Sequence, residues 1–394
     1  MWIRDEYTPT LHEIAWLASE EGQAACDEMA AGHPADTPTA ISRWRERLDA
    51  ERVTAAWRQV LLRQAARTKF SRADRMIFDR IGVEQSTDEV VATHKARRFA
   101  GCGRIADLCC GIGGDTLALA AHAPVIAVDI SGPRSAMAEH NAGVYGRRAE
   151  GVIGDVELTH PDADAAHIDP DRRTVGRREH ELEHGSPDLR AVEKLVGRYA
   201  GVAIKLSPGA GFERLPFPAE IELISHHGQC KQAVAWTGRF ITAHRRATVL
   251  PQGENISAAD QRELVWPPSR PVEPGLWLLE PDAAVIRANL VGVLARQLDA
   301  APVDPHIAWL VRERPVSTPF ANAFRVIDTL GFNEKKLRPW LAGHNVGSLE
   351  IKTRGVAFQP EDIVRRLKLR GDRRAVLLIA RIGDKPLAIL AERA

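Results

Sequence analysis

At 394 residues the chain is too long for one ordinary core, and about 150 residues per domain gives two to three domains. With 44% hydrophobic and 27% charged residues, wholesale disorder and a fibrous protein are excluded; the longest apolar run, Ala375 to Ala380, falls far short of the ~18 residues that cross a bilayer. The net charge of +1 conceals two basic flanks around an acidic centre, with 11 Lys/Arg against 5 Asp/Glu in residues 43–80 and 11 against 4 in residues 335–374. That asymmetry fits a polyanionic partner, and it also fits arginine-rich helices with solvated faces.

The first hundred residues read as helical. Ile41, Trp44 and Leu48 fall at i, i+3, i+7, and Val53, Trp57, Val60 and Leu61 repeat an i, i+4, i+7, i+8 stripe. From Arg104 short apolar runs alternate with helical or loop segments, as a parallel α/β sheet requires: Ile105–Leu108, Val125–Val128, Ala166–Ile168 and Val202–Leu206. Ile221–Ser225, Lys231–Trp236 and Ala247–Leu250 are the expected last strands. Five prolines in residues 251–274 predict a linker. Beyond it, Val285, Ile286, Leu290, Val293, Leu294 and Leu298 form one helical stripe, and Ser348–Lys352, Ala375–Arg381 and Leu387–Leu390 read as strands. Pro360-Glu361-Asp362 has the proline and acids of a helix start. The expected partition is a helical domain over 1–98, an α/β catalytic domain over 99–265 and a small α/β domain over 270–394.

The most informative stretch is Ile105 to Thr116, where an apolar strand enters a glycine turn and a helix begins at Thr116. Glycines let a backbone approach a ligand closely, and a helix N-terminus presents free N–H groups. Eighteen residues after Gly111, the strand Val125-Ile126-Ala127-Val128 ends in Asp129, whose carboxylate can accept from both hydroxyls of a ribose. A dinucleotide site wants glycine or alanine where Thr116 stands. Asp107 would also repel a pyrophosphate, whereas it suits the amino group of a zwitterionic amino acid. The turn therefore favours S-adenosylmethionine over NAD.

Asp107-Leu108-Cys109-Cys110-Gly111-Ile112-Gly113-Gly114-Asp115-Thr116, then Ala127-Val128-Asp129-Ile130, Asn141-Ala142-Gly143-Val144-Tyr145-Gly146 and Gly154-Asp155 resemble the successive motifs of class I S-adenosylmethionine-dependent methyltransferases. The Tyr145-Gly146 version is similar to the trimethylguanosine-synthase branch of RNA methyltransferases. That branch has a helical segment resembling Glu84 to Val91, containing Thr87, over the methionine end of the cofactor. The chain as a whole, with Glu280 to Arg287 and Gly347 to Gly355, resembles bacterial methyltransferases with a THUMP-like C-terminal domain. The resemblance implies a Rossmann-like methyltransferase sheet between an N-terminal helical domain and the THUMP-like domain. It assigns the ribose to Asp129, the adenine amino group to Asp155 and the flanks of the methionine moiety to Gly111 and Gly113. Thr87, Asp107, Ile130 and Val156 complete its cofactor-binding set.

The fourth strand ends His167-Ile168-Asp169-Pro170-Asp171-Arg172-Arg173. Many amino-methylating relatives carry (N/D/S)-P-P-(Y/F/W) there, with the first side chain and a proline carbonyl accepting from the target amine and the aromatic stacking on the base. Asp169 and Pro170 keep the acceptor pair, as the expected catalytic residues. Asp171 and Arg172 replace the second proline and the aromatic, so Trp236, Phe212 or Phe240 would have to supply a stacking face. Methyl transfer from a sulfonium needs a nucleophile held in line about 3–3.5 Å from the methyl carbon, with water excluded. Asp169 could orient an amine and take its proton later. No cysteine stands in a loop after the fourth or fifth strand, where carbon methylation of a pyrimidine would need one. Lys205-Leu206-Ser207-Pro208 at the fifth strand end is expected to face the same cleft. Arg172, Arg366 and Arg370 are the expected substrate-binding cations, the last two in a run with Arg365, Lys368, Arg373 and Arg374.

His226-His227 looks like a metal pair, but neighbours on a strand point to opposite faces, so no metal is expected. Five cysteines without Cys-x-x-Cys spacing give neither a disulfide framework nor a zinc site. With Asp5 and Glu6 near the start, a secretory signal is not expected, and the chain reads as cytoplasmic, with RNA as partner and no membrane. The expected activity is methylation of an RNA base nitrogen. Methylation of a small molecule or protein, or a nucleic-acid-binding module with a vestigial catalytic domain, are the alternatives.

Overall fold

The computed structural model describes residues 7–32, 38–170, 173–174, 177–178, 186–356, 367 and 369–393. They form two compact units, one of Met1–Glu220 with Ala233–Ile241 and the other of Ile221–Gln232 with Thr242–Ala394.

The first unit begins with helices α1 (Leu11–Ala18), α2 (Glu20–Ala31), α3 (Pro38–Arg45), α4 (Ala50–Ala66), α5 (Arg80–Gln85) and α6 (Glu89–Ala96). Side chains fix their starts. Thr10 and Glu13 form a capping box on α1, and Asp49, Asp79 and Asp88 each accept from a first-turn backbone N–H of α4, α5 and α6. Of the predicted stripe on α4, Val53 and Val60 are buried and Trp57 and Leu61 half-buried. The helix also buries Gln59 and Arg63, which hydrogen-bond the carbonyls of Phe78 and Met76.

Next come β1 (Ile105–Leu108), α7 (Thr116–Leu119), β2 (Val125–Asp129), α8 (Gly132–Val144), β3 (Ala149–Ile153), β4 (Ala165–Ile168), the two-residue strands β5 (Arg173–Thr174) and β6 (Arg177–Arg178), α9 (Leu189–Arg198), β7 (Val202–Leu206), β8 (Glu220–His226) and β9 (Gln229–Trp236). In the first unit β3, β2, β1, β4 and β7 lie side by side and parallel, and Ala233–Trp236 of β9 runs antiparallel to β7. Every residue of β1, β4 and β7 is buried, because a parallel sheet is covered on both faces. The chain leaves β1 toward β2 and β3 on one side and returns to β4 and β7 on the other. The β1/β4 gap is therefore the switch point, whose carboxyl edge is where such sheets hold ligands.

The second unit contains β10 (Arg245–Leu250), parallel to β8, and β11 (Glu254–Ala258), antiparallel to β10. The stretch expected as a linker thus includes a strand, reached through a turn at Gly253, which has a left-handed φ of 75°. A seven-stranded sheet follows, ordered β13 (Ala301–Asp304), β14 (Ile307–Arg312), β12 (Trp277–Pro281), β15 (Ala321–Gly331), β18 (Lys385–Arg393), β17 (Arg373–Ile382) and β16 (Val346–Arg354). Trp309, Phe324 and Leu378 belong to one apolar cluster of the unit, and Leu337 and Leu341 of α12 (Glu334–Gly343) join Leu377 and Leu390 in another. The stripe expected as one helix is two, α10 (Ala283–Arg287) and α11 (Val291–Gln297), broken where Asn289 takes a left-handed φ of 59°. His226 and His227 stack at 4.0 Å between centroids instead of facing apart, since β8 has ended and His227 sits in a turn at φ 52°. The helix start expected at Pro360 lies outside the described residues, as do Arg172, Arg365, Arg366 and Lys368.

Candidate active site

At the end of β1 the chain turns sharply through Cys109 (φ 60°), Gly111 (φ 56°) and Gly113 (φ 86°). A Cβ on Gly113 would stand 2.7 Å from Cα of Ala138 on α8, so glycine permits that close approach. A Cβ on Gly111 would meet nothing within 4 Å, leaving open space beside that backbone. Asn141, fully buried on α8, donates to the carbonyls of Ile77 and Ile112 and accepts from Ile77 N–H, fastening the helical segment to the glycine turn. Tyr145 donates from its hydroxyl to Glu89 at 2.9 Å, joining α8 to the first turn of α6. These contacts give structural roles to two motif residues to which the sequence attached none.

Asp129 ends β2 with a buried carboxylate whose Oδ2 accepts from Gly111 N–H and Oδ1 from Ser131 N–H, both at 2.9 Å. Burial pushes its carboxyl above the usual carboxylate range against those two hydrogen bonds. A carboxylate offers about four acceptor positions, so two remain for the vicinal hydroxyls of a ribose. With the open face of Gly111, this donor and acceptor set fits the expected cofactor. Ile130 beyond it is 76% exposed. Asp155 follows β3, exposed, accepting from Glu157 N–H, and Val156 beside it is buried.

Asp107 is placed differently from the sequence reading, which gave it a cofactor's amino group. It is 1% exposed; its Oδ2 accepts from the Thr116 hydroxyl and its Oδ1 lies 2.8 Å from His167 Nδ1. His167 Nε2 in turn lies 3.4 Å from Lys95 Nζ and 3.6 Å from Asp115 Oδ2. Lys95 pairs with Asp115 at 2.6 Å, and Thr87 donates its hydroxyl to Asp115 at 2.7 Å. A closed polar chain thus runs beneath the glycine turn from Thr116 to Thr87. Burial lowers the Lys95 ammonium from the ordinary lysine value, with Asp115 opposing. Burial raises Asp115, but Lys95, His167 and Lys205 outweigh it and hold the carboxyl well below its ordinary value.

At the switch point Asp169 follows β4, its backbone N–H held by the Leu108 carbonyl at 3.1 Å and its side chain 29% exposed. Pro170 behind it is buried. Asp169 Oδ2 pairs with Lys205 Nζ at 2.7 Å, and the same ammonium donates to the Gln85 carbonyl at 3.2 Å. Two of the three expected stacking aromatics are core residues. Trp236 is wholly buried against Phe99 and Phe240, with the Arg98 guanidinium 4.4 Å above its ring, and Phe240 is 5% exposed. Phe212, in the turn after β7, is half-buried. Cys110 packs with Ala127 and Ala138, and burial drives its thiol well above the ordinary value; Cys230 is pushed up to about 12 by burial. Among the described residues no group of three or more His, Cys, Asp or Glu could hold a metal ion, and no helix is long and apolar enough to cross a membrane.

The structure thus brings Thr87, Asp107, Gly111, Gly113, Asp129, Asp169 and Pro170 into one unit around the carboxyl edge of β1, β2 and β4. Arg370 is exposed in the other unit.

Three family profiles match the sequence. One described as RNA cap guanine-N2 methyltransferase matches residues 102–171, one described as THUMP domain-like matches residues 321–393, and a domain of unknown function matches residues 10–66. An uncharacterized S-adenosylmethionine-dependent methyltransferase of Mycobacterium tuberculosis, found in strains H37Rv and CDC 1551, is 37% identical over 324 residues, covering 79% of this chain and 86% of the relative. A crystal structure of a Porphyromonas gingivalis W83 protein, assigned provisionally as a methyltransferase, superposes with a TM-score of 0.78 at 19% identity, over 95% of this chain and 99% of that one. That likeness is one of fold.

Proposed function

Because this chain belongs to the S-adenosylmethionine-dependent methyltransferases, an enzyme family that uses S-adenosylmethionine as cofactor, we propose that it methylates RNA at a base nitrogen, with Asp169 and the Pro170 carbonyl as the acceptors that orient the amine. The observation that carries this reading is the partly exposed Asp169 carboxylate after β4, at the switch point beside the glycine turn. Pro170 has no N–H to donate, so its carbonyl is the natural second acceptor. RNA as the polyanion is supported by the profile matches over 102–171 and 321–393 and by the exposed, basic Arg370 and Arg374 of the THUMP-like region.

The cofactor supplies an activated methyl group on a sulfonium. Asp129 takes the ribose hydroxyls, Gly111 and Gly113 let the backbone pass close to the methionine moiety, and Ile130, Asp155 and Val156 surround the adenine. Thr87, tied to Asp115, closes the methionine end. Asp169 accepts an N–H of the target amine so that its lone pair faces the methyl group, and accepts the released proton after transfer. Phe212 is the half-buried aromatic among the three expected to stack on a base.

The test is to incubate total RNA and, in parallel, the protein and small-molecule fractions from cells lacking this protein with the enzyme and methyl-labelled cofactor, then map the label. Asp169→Ala should lower turnover by roughly two or more orders of magnitude, within the range for lost positioning or acid–base groups, while affinity for S-adenosylhomocysteine holds. Near-normal turnover in Asp169→Ala would remove the amine reading, and label confined to protein or small molecules would remove RNA.

A further inference from the structure

β4 and β7 run parallel with Ala166 beside Val202, His167 beside Ala203 and Ile168 beside Ile204. The next step of that register sets Asp169 beside Lys205, so the sheet itself brings the two together. Lys205 is 8% exposed, and an ammonium so buried is costly unless it is paired and hydrogen-bonded. It is both, through Asp169 Oδ2 at 2.7 Å and the Gln85 carbonyl at 3.2 Å. Gln85 is the last residue of α5, two positions before Thr87. A strand end needing only to pack would be served by an apolar residue, since exchanging a buried ion pair for hydrophobic residues is often neutral or stabilising.

We propose that Lys205 is a positioning residue for methyl transfer. By holding Oδ2 it fixes the Asp169 carboxylate about its side-chain torsions and turns Oδ1 toward the acceptor amine. Among the described residues Oδ1 has no hydrogen-bond partner. Through Gln85 the same ammonium ties the segment that carries Thr87 to the acceptor carboxylate, so the two walls of the cleft share one anchor. The sequence places Lys205 at the cleft and gives it no task. This inference rests on the reading of Asp169 as the acceptor and extends it.

The experiment is a double-mutant cycle with Lys205→Met, Asp169→Ala and the two combined, each read by methyl transfer to the same total RNA and by calorimetric affinity for S-adenosylhomocysteine. Should label enter a different acceptor fraction, the cycle is read on that fraction. Lys205→Met should lower kcat roughly ten- to a hundredfold, the scale of an acceptor displaced by about 1 Å, with KM and S-adenosylhomocysteine affinity within about threefold of wild type. Because the two side chains act as a unit, the double variant should be no slower than Asp169→Ala alone. Lys205→Arg, which can still reach a carboxylate, should recover part of the rate. If Lys205→Met does not fold, Lys205→Gln replaces it. A slow Asp169→Ala beside a Lys205→Met of normal kcat overturns the proposal and leaves the acceptor reading standing. Strictly multiplicative losses, or a loss explained by a smaller folded fraction, also overturn it by making Lys205 merely structural. Normal turnover in Asp169→Ala, or no transfer by the wild type to any fraction, overturns the acceptor reading and this proposal together.

Discussion

Replacing Asp129 with alanine tests the cofactor site most directly, because the structure says what is lost. The carboxylate is 6% exposed and makes two backbone hydrogen bonds, leaving about two acceptor positions for ribose hydroxyls. A hydrogen bond to a charged group contributes about 1.5–3 kcal/mol, so losing even one costs at least about tenfold in affinity. The variant also strips the Gly111 and Ser131 N–H groups of their acceptor, which loosens the turn and adds to the loss. Asp129→Asn keeps one carbonyl oxygen but sets an amide NH2 where Gly111 or Ser131 donates, and should fall between wild type and alanine. Calorimetry with S-adenosylhomocysteine measures the affinity, and a thermal shift checks it. A ligand at about 100 times Kd stabilises the fold by about 2.7 kcal/mol, which a tenfold weaker Kd would cut to about 1.4 kcal/mol at the same concentration. Unchanged affinity in Asp129→Ala, or tighter binding of NAD than of S-adenosylhomocysteine by the wild type, would refute the assignment.

Two further outcomes are expected. The Asp115 carboxyl is held below its ordinary value of 3.8, so its stabilisation is full above that pH and is lost as acid protonates the folded protein. Asp115→Asn should therefore cost about 3–5 kcal/mol at neutral pH, as breaking a buried pair does, and lose less than the wild type between pH 5 and 3; denaturant titrations showing the same acid slope in both would count against it. Arg370 and Arg374 are exposed and without an ion pair among the described residues, whereas Arg373 is bound to Glu392 at 2.9 Å. Reversing Arg370 and Arg374 to glutamate should weaken binding of total RNA and flatten its dependence on salt, read by filter binding across a salt series, and an unchanged salt slope would remove these two from the interface.

What the sequence revealed and what it hid follow from where the information lies. β1, β2, β4 and β7 were legible because strands covered on both faces read as short, largely apolar runs, even with Asp107, His167 and Lys205 inside them. β15 was not, because over Ala321–Gly331 only Phe324 and Val326 are fully buried and the others give no clear alternation. The same difference divides the site. The glycine turn, Asp129 and Asp169 stand inside contiguous motifs, so a local pattern and the resemblance it carries single them out. Asn141, Lys95, His167 and Lys205 depend on contacts between distant parts of the chain, 60 residues for His167 with Asp107 and 120 for Lys205 with Gln85, and local patterns carry no trace of such pairs.

The placement of charge argues that the buried groups are there for more than stability. The two apolar clusters of the second unit, around Trp309 and around Leu377, make up the hydrophobic part of its core, and the same unit also buries Glu222, Glu280 and Asp304. Under the glycine turn the first unit buries Lys95, Asp107, Asp115 and His167 in contact with one another, with Lys205 and Asp169 at the rim. Desolvating that many ionisable groups costs more than an apolar core of the same volume, and the ion pairs recover that cost only in strict geometry. Strict geometry is what methyl transfer demands, because a nucleophile out of line by about 1 Å forfeits on the order of a hundredfold in rate. Three of these groups touch an element that the proposed function assigns to the cofactor or the acceptor: Asp107 the first helical residue after the turn, Asp115 the Thr87 hydroxyl, Lys205 the Asp169 carboxylate. Their gathering under the glycine turn is what the proposed cofactor and acceptor site at that sheet edge would require.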